Sequence, residues 1–345
     1  MTALALVALE YVAVPQVVRA RSDLTILLDA APLLLILAVG LEVCSVGSYT
    51  ALTRGVLPAR VRPGFGEQLR IDLTGLGFSH LVPGGGASAA ALRFRLMTRQ
   101  GVPAVDAAAT AAVQTAVAVI GLVATFAGGV VLSGPGITAK PVWAASGAGA
   151  VVFLVVVALG MRLVSSRSTG VETSSTGRDQ APVVLTSTTR RASRWVAGVV
   201  ATATAASIST ALRARVVVAD PRRRLVVLGW AGGNWLFDAA SLWVCLWAYG
   251  LTVHPAALLM AYGAANLVGL LPLTPGGLGV VEGVLVPALV ALGGAAVAPV
   301  TLGVLTWRLF EFWLPIPVAG LAYLLIRWPQ TMGRRMDERS RPPLR

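Results

Sequence analysis

The stretch that decides the fold is Leu271–Gly283, which reads LPLTPGGLGVVEG. It joins two apolar segments, 256–271 and 280–293. Neither segment reaches the roughly 20 apolar residues needed to cross a bilayer. Irregular backbone at membrane depth persists only where protein or a water-filled cavity satisfies its N–H and C=O groups. We therefore predict that residues 256–295 form a re-entrant helical hairpin, which enters and leaves the membrane by one face.

The composition of the whole chain indicates a membrane protein. Of its 345 residues, 56% are hydrophobic and 12% are charged, whereas an ordinary soluble domain has about 25% charged residues. The net charge of +13 comes almost entirely from arginines. These lie in loops between apolar segments, as membrane flanks do, rather than in a patch for nucleic acid. We therefore expect membrane lipids as partners and no nucleic acid.

The other apolar segments predict the number of spanning helices. Segments of sufficient length lie at residues 1–19, 30–53, 107–133, 142–164, 225–250 and 299–326. We interpret the first as a membrane helix rather than a cleaved signal peptide, because Glu10 interrupts its apolar run and no basic n-region precedes it. The apolar region 71–100 is broken by Pro-Gly-Gly and predicts another re-entrant hairpin. The predicted fold is an all-α integral membrane protein with about six spanning helices and two re-entrant hairpins.

A polar linker is predicted to divide the chain into two membrane halves. Residues 165–194 are rich in serine and threonine and lack a periodic apolar face, which is typical of a flexible cytoplasmic linker. We interpret the next segment, 195–220, as an interfacial helix, because a full span there would place Arg222–Arg224 outside. The two predicted halves and the basic cytoplasmic tail are residues 1–164, 195–326 and 327–345.

The two broken regions are similar in sequence. Leu81–Gly85 matches Leu273–Gly277 in its leucine, proline and both glycines, and two flanking glycines recur at the same offset. The predicted break residues are Pro83, Gly84, Gly85, Pro275, Gly276, Gly277 and Gly279. All arginine-rich loops fall on one side if each hairpin enters and leaves by the same face. Both termini are then cytoplasmic and the halves are inverted repeats, a plan typical of secondary transporters; the alternative is a passive bundle with two glycine-rich helix contacts.

Ionisable residues in the second half are the first candidates for a site, because charges inside a membrane are costly to keep. Glu282 is either a helix-start carboxylate stabilised by the helix dipole or a group that binds a cationic headgroup or relays a proton. Arg308 and Glu311 are one turn apart, which predicts an ion pair. Asp238 and Asn234 lie midway along another span. We predict that these five residues bind the substrate.

The first hairpin is basic where the second is acidic. Arg93 and Arg95 lie on its descending arm, and Ala90 stands at the position equivalent to Glu282. These arginines suit recognition of an anionic lipid phosphate, although snorkelling of interfacial arginines is an equal alternative. Glu42 is a further acid in an apolar segment, for which the sequence indicates no partner.

Several enzyme signatures are missing from the sequence. It has no G-x-x-x-x-G-K-[ST] loop, no H-E-x-x-H and no G-x-S-x-G, and only two histidines. Its two cysteines have no metal-ligand spacing. We expect no cofactor, no metal site and no catalytic residue of these kinds.

The second half resembles the lysylphosphatidylglycerol synthase transmembrane-region family, also called flippase-like. The matching segments are Pro272–Glu282, Asn234–Trp235, Asp238, Trp307–Arg308 and Trp313–Pro315. Leu81–Arg95 resembles the family's earlier Pro-Gly element but lacks the acidic residue that many members place there. The resemblance covers about residues 30–326 and implies a stand-alone member without the aminoacyl-transferase domain of fused members.

The resemblance implies a lipid translocator of the bacterial plasma membrane, moving a phospholipid or lipid-linked headgroup. Two alternatives stay open. One is an intramembrane transferase acting on lipid-linked substrates with Glu282 as acid or base; the other is a passive membrane partner of a separate synthase or glycosyltransferase. The missing enzyme signatures weigh against the transferase.

Overall fold

The fold comes from a computed structural model, which describes residues 31–82, 85–138, 219–271, 274–294 and 296–340. All regular structure within these ranges is helical, which confirms the all-α prediction. Several predictions lie outside the described residues: the spans 1–19 and 142–164, the linker 165–194, nearly all of the interfacial helix 195–220, and break residues Pro83 and Gly84.

The first half contains a long helix, two short helices and a second long helix. Helix α1 is Pro32–Val56, α2 is Phe65–Leu81, α3 is Gly85–Arg99 and α4 is Ala104–Thr138. A short 3-10 turn at Ala59–Val61 follows α1. The second half repeats this order, except that its final long segment is divided into two helices.

In that half, α5 is Pro221–Ala248, α6 is Pro255–Gly269, α7 is Val280–Gly293, α8 is Val297–Arg308 and α9 is Pro315–Ser340. A 3-10 turn at Pro275–Gly277 lies in the second break, and a π-helical turn at Leu309–Trp313 joins α8 to α9. Pro315 has no N–H to donate to the carbonyl of Glu311, and Leu314 bonds instead to Leu309. The bond of Leu314 to a carbonyl five residues back defines the wider, π-helical turn.

Two helices begin earlier than the sequence indicated. Helix α2 begins at Phe65 rather than residue 71, because the carboxylate of Glu67 accepts the N–H of Gly64 and caps the first turn. Helix α5 begins at Pro221, where Asp220 accepts the N–H groups of Arg222 and Arg223. Those arginines therefore belong to the first turn of the helix and not to a loop before it.

Four helices in the described ranges are long and apolar enough to cross a membrane: Pro32–Val56, Ala104–Ser133, Pro275–Gly293 and Val297–Arg327. Three of them correspond to predicted spans, and the fourth is the descending arm of the second hairpin with its turn. Helix α5 is long enough but is not among them, because polar side chains such as Asn234 and Asp238 lower its apolarity.

Both broken regions fold into antiparallel helix pairs. In the first, Asp72 of α2 contacts Arg93 of α3, two positions that lie at similar distances on either side of the break. In the second, Gly293 at the end of α7 lies beside Val253, just before α6. An arm of 15 residues is about 22 Å long, which is shorter than the roughly 30 Å of a hydrocarbon core.

The two halves pack against each other reciprocally. Helix α2 of the first half packs on α9 of the second, and α6 of the second half packs on α4 of the first. The two leading helices, α1 and α5, pack together along their length. This reciprocity is what two-fold related halves produce.

The leading helices α1 and α5 run antiparallel. Three hydrogen-bonded pairs show this: Gly55 with Arg223, Ser45 with Asn234, and Ala38 with Ser241. Inverted halves require opposite directions for their equivalent helices. The placement of the two halves across a membrane remains a prediction.

Candidate functional site

The turn of the second break depends on glycine. Gly276, Gly277 and Gly279 have φ angles of 53°, 71° and 81°, which L side chains rarely adopt. A Cβ on Gly276 would also lie 2.5 Å from the ring of Phe312 and 2.9 Å from the ring of His80. The second break therefore packs directly against the π-helical turn and the end of the first hairpin.

His80 joins the first hairpin to the last helix. Its ring donates from Nδ1 to the carbonyl oxygen of Phe312 at 2.9 Å. The two rings are stacked, with centroids 4.4 Å apart. The two broken regions, far apart in sequence, thus meet at one place inside the molecule.

Glu282 and Arg308 are the charged centre of this meeting point. Glu282 accepts from the N–H of Gly279 at 2.7 Å and from Nε of Arg308 at 2.6 Å. Arg308 also donates to Glu311 at 2.7 Å and to the carbonyl of Gly277 at 3.3 Å. The helix-cap interpretation of Glu282 and the predicted Arg308–Glu311 pair both hold, and a single arginine links them.

The exposures of this ion cluster differ. The side chain of Arg308 is 3% exposed and that of Glu282 is 9%, whereas Glu311 is 23% exposed. Glu311 is therefore the member of the cluster through which water or a solute can approach. Removal of one partner of a buried ion pair leaves an uncompensated charge inside the protein, which is strongly destabilising.

Asp238 is held by two aromatic side chains. Its two oxygens accept from Nε1 of Trp307 at 2.7 Å and from the hydroxyl of Tyr262 at 2.6 Å. Trp307 is adjacent to Arg308 in sequence, so the Asp238 group and the ion cluster share helix α8. Tyr262 and Trp307 are both fully buried.

Glu42 joins the same polar centre from α1. Its carboxyl group lies against Asp238 and Ser241 and within electrostatic range of Glu311. Its Oε1 is buried and has no hydrogen-bond partner among the described residues. In the centre, Glu282 and Glu311 pair with Arg308, and the carboxyl groups of Asp238 and Glu42 lie within electrostatic range of Glu311.

Asn234 does not join this centre. Its side-chain amide donates to the hydroxyl of Ser45 at 2.9 Å and to the Ser45 carbonyl at 3.2 Å. Ser45 in turn donates to the Asn234 carbonyl at 2.9 Å. The observed role of Asn234 is to fix α5 against α1.

Arg93 and Arg95 of the first hairpin have different surroundings. The guanidinium of Arg93 is engaged by protein: it donates to Asp72 at 2.6 Å, to Gln114 at 3.0 Å and to the hydroxyl of Tyr49. Arg95 is exposed and forms no ion pair with the described residues. Arg93 therefore ties the hairpin to α1 and α4, whereas Arg95 and Arg99 are exposed to solvent or lipid.

Several buried polar atoms around Arg93 lack partners within the described ranges. They include Oδ2 of Asp72, Oε1 of Gln68 and Nε2 of Gln114. Gln68 donates through its amide to Asp72 at 3.1 Å, so these atoms belong to one connected group. Groups of this kind commonly hold ordered water.

The sequence identified most of the charged residues of the site, but it did not reveal which residues they contact. Tyr49, Tyr262 and Trp307 contact charged groups, yet an aromatic residue in an apolar helix gives no sign of which charge it faces. Gln68 and Gln114 gave a usable signal, because an amide within an apolar helix needs a buried partner. No group of three or more potential metal ligands occurs among the described residues.

Comparison with known proteins identifies the class. The family described as Lysylphosphatidylglycerol synthase TM region matches residues 3–319, which is most of the chain, and the protein therefore belongs to that family. A curated relative, a UPF0104 membrane protein of Methanothermobacter thermautotrophicus, is 39% identical over 66 residues. That alignment covers 19% of this chain and 19% of the relative, so the chain matches about a fifth of the relative's length.

Proposed function

We propose that the protein moves the headgroup of a phospholipid or lipid-linked substrate across a membrane through the polar centre between its two broken hairpins. One observation carries the proposal: two helix breaks from opposite halves meet beside Glu282 and Arg308. Discontinuous helices that meet inside a membrane are where secondary transporters bind their substrates.

The charge balance of the centre favours a headgroup with a cationic part. Two carboxylates share the guanidinium of Arg308, two more carboxyl groups lie near Glu311, and Oε1 of Glu42 has no donor among the described residues. A primary amine supplies several N–H donors and a positive charge to such a site. The amine of an aminoacylated lipid has this chemistry, which agrees with the name of the family.

Arg308 gives the centre a way to respond to a substrate. Each of its nitrogen atoms donates to a protein acceptor. A cationic headgroup that pairs with Glu311 would compete with Arg308, and a lipid phosphate would compete with Glu282 for the guanidinium. The second exchange would loosen the link between the second hairpin and α8.

We further propose that the protein lies in the plasma membrane with both termini in the cytoplasm, on the arginine placement described above. We expect a separate synthase or glycosyltransferase that makes the lipid to act on the cytoplasmic side as well.

Reconstituted vesicles test the proposal against both alternatives. Purified protein is inserted into liposomes that contain acyl-labelled fluorescent phosphatidylglycerol or lysylphosphatidylglycerol, and dithionite bleaches the label in the outer leaflet. We expect bleaching beyond the half seen in protein-free vesicles, with the lipid chemically unchanged. Mass spectrometry that finds a modified lipid would instead favour the transferase, and bleaching limited to half with unmodified lipid would favour the passive partner.

A further inference from the structure

A groove runs along the outside of the molecule between α1 and α5. It has a volume of about 560 Å³, which lies within the roughly 300–1,000 Å³ of ligand-binding clefts. Its α1 wall is one helical face, from Cys44 through Gly47 and Ala51 to Arg54. The groove is distinct from the polar centre, because none of the centre's charged residues lines it.

The walls of the groove are apolar and open to the side. Val226, Trp230 and Phe237 of α5 line it and are 48%, 42% and 37% exposed. Cys44 at the far end is also exposed. Large apolar side chains exposed on a membrane protein commonly mark contact with lipid, so an acyl chain is a suitable occupant of this groove.

One end of the groove is strongly basic. Arg54 and Arg62 line that end, and Arg223 lies beside them. Partial burial, together with the charges of Arg54 and Arg223, lowers the pKa of Arg62. Within the described ranges none of the three arginines pairs with a carboxylate. Their hydrogen-bond acceptors are backbone carbonyls: that of Pro63 for Arg54, that of Leu57 for Arg62, and those of Gly55, Val56 and Leu57 for Arg223.

Arg54 and Arg62 keep N–H donors that have no acceptor among the described residues. Arg54 donates to Pro63 through Nε alone, and Arg62 donates to Leu57 through Nη2 alone. A guanidinium has five donors in a planar fork that matches a phosphate. Two half-engaged guanidinium groups at the mouth of an apolar groove are therefore suited to an anion that carries an apolar chain.

The length of the groove matches one leaflet. From Arg54 to Cys44, α1 rises about 15 Å at 1.5 Å per residue. This is half of the roughly 30 Å hydrocarbon core. A lipid with its phosphate at Arg54 would therefore extend one acyl chain as far as Cys44.

We propose that this groove binds an anionic phospholipid, with the phosphate at Arg54 and Arg62 and one acyl chain along Trp230 and Phe237 towards Cys44. Binding here does not require that the protein move lipid, so the proposal stands or falls separately from the proposed function. If both hold, the groove supplies the phosphate contact that Arg93, engaged by Asp72, does not.

Protection of Cys44 from alkylation tests the proposal. A Cys245→Ser variant leaves Cys44 as the single thiol, and its reaction with a maleimide is followed in mild detergent with added phosphatidylglycerol or phosphatidylcholine. We expect phosphatidylglycerol to slow alkylation at lower concentration than phosphatidylcholine. Glycerol 3-phosphate should give no protection, because it has no chain to reach Cys44.

Two pairs of matched variants locate the site. Arg54→Gln with Arg62→Gln should raise the phosphatidylglycerol concentration for half-protection about tenfold, since charge-assisted contacts are lost. Arg70→Gln with Arg99→Gln removes the same charge from exposed positions outside the groove and should leave it unchanged. Gly47→Leu fills the groove and should abolish protection. Gly40→Leu makes the same change on α1 outside the groove and should leave protection unchanged. At either glycine an added Cβ would have no neighbouring atom within 4 Å.

Equal protection by the two phospholipids, or protection by glycerol 3-phosphate, would overturn the proposal. So would protection that persists in both the arginine and the Gly47→Leu variants. If the arginine variant does not fold, as judged by gel filtration, the Gly47 and Gly40 pair decides alone.

Discussion

Nε of Arg308, on the helix before the π-helical turn, lies 2.6 Å from Oε1 of Glu282, at the start of the second hairpin's descending arm. The two side chains are 3% and 9% exposed, so this ion pair is shielded from water. This ion pair fixes the second hairpin to the end of α8, where the two broken regions meet. Disruption of the pair should therefore affect both the stability and the function of the protein.

The first prediction concerns the energy of this pair. Arg308→Gln should destabilise the protein by about 3 kcal/mol, because Glu282 is left buried without its cation. Adding Glu282→Gln should cost less than the sum of the two single changes, because the buried Glu282 charge that Arg308→Gln leaves unpaired is then removed. Unfolding in detergent, followed by circular dichroism, measures each variant, and strictly additive losses would contradict the coupling.

The second prediction compares the contributions of Arg93 and Arg95 to the stability of the protein. Arg93→Gln should destabilise the protein by about 3 kcal/mol, because Asp72 then remains buried without a cation. Arg95→Gln should change stability by no more than about 0.5 kcal/mol, since Arg95 is exposed. The same unfolding measurement compares them. A stable Arg93→Gln protein with impaired lipid transport would instead make Arg93 a lipid-binding residue.

The third prediction concerns the glycine turn of the second break. Gly276→Ala should destabilise the protein by more than about 1 kcal/mol, because φ is 53° and the new Cβ would meet Phe312. Gly283→Ala is the matched control: it lies within α7 with nothing near its Cβ and should gain roughly 0.5–1 kcal/mol. Melting temperatures of the two proteins test this, and equal shifts would show that the turn tolerates a side chain.

The fourth prediction concerns topology. Gly66 follows α1, and Thr252 follows α5, which runs antiparallel to α1. Single cysteines at these exposed positions, in a background without Cys44 and Cys245, should therefore react with a membrane-impermeant maleimide from opposite faces of sealed vesicles. Reaction of both from the same face would exclude the inverted arrangement of the two halves.

The sequence was sufficient to predict the helical breaks, because proline and glycine act locally. Pro275–Gly277 interrupts an apolar segment wherever it lies in the fold. The proximity of Arg308 to Glu311 was also predictable, because helical periodicity sets a spacing of three residues. The helix starts at Phe65 and Pro221 were missed because the caps of Glu67 and Asp220 extend each helix into polar sequence.

Pairings between helices could not be predicted from one sequence. Glu42 lies against Asp238, and His80 bonds to Phe312, because the two halves pack together with one particular rotation of each helix. The pairing of Arg93 with Asp72 was closer to prediction, since both flank one break. Without knowledge of the face that each arm presents, the sequence leaves both phosphate binding and snorkelling open for Arg93, although its guanidinium is engaged inside the protein.

Lipid movement by a Glu282 variant tests the central claim most directly. Glu282→Gln and Glu67→Gln make the same change at the same helix-cap position, but Glu67 is exposed and has no arginine partner among the described residues. In the dithionite assay, we expect Glu282→Gln to reduce the rate of lipid movement at least tenfold and Glu67→Gln to leave it near wild type. Equal rates in wild type and in correctly inserted Glu282→Gln would contradict the role of the polar centre in translocation.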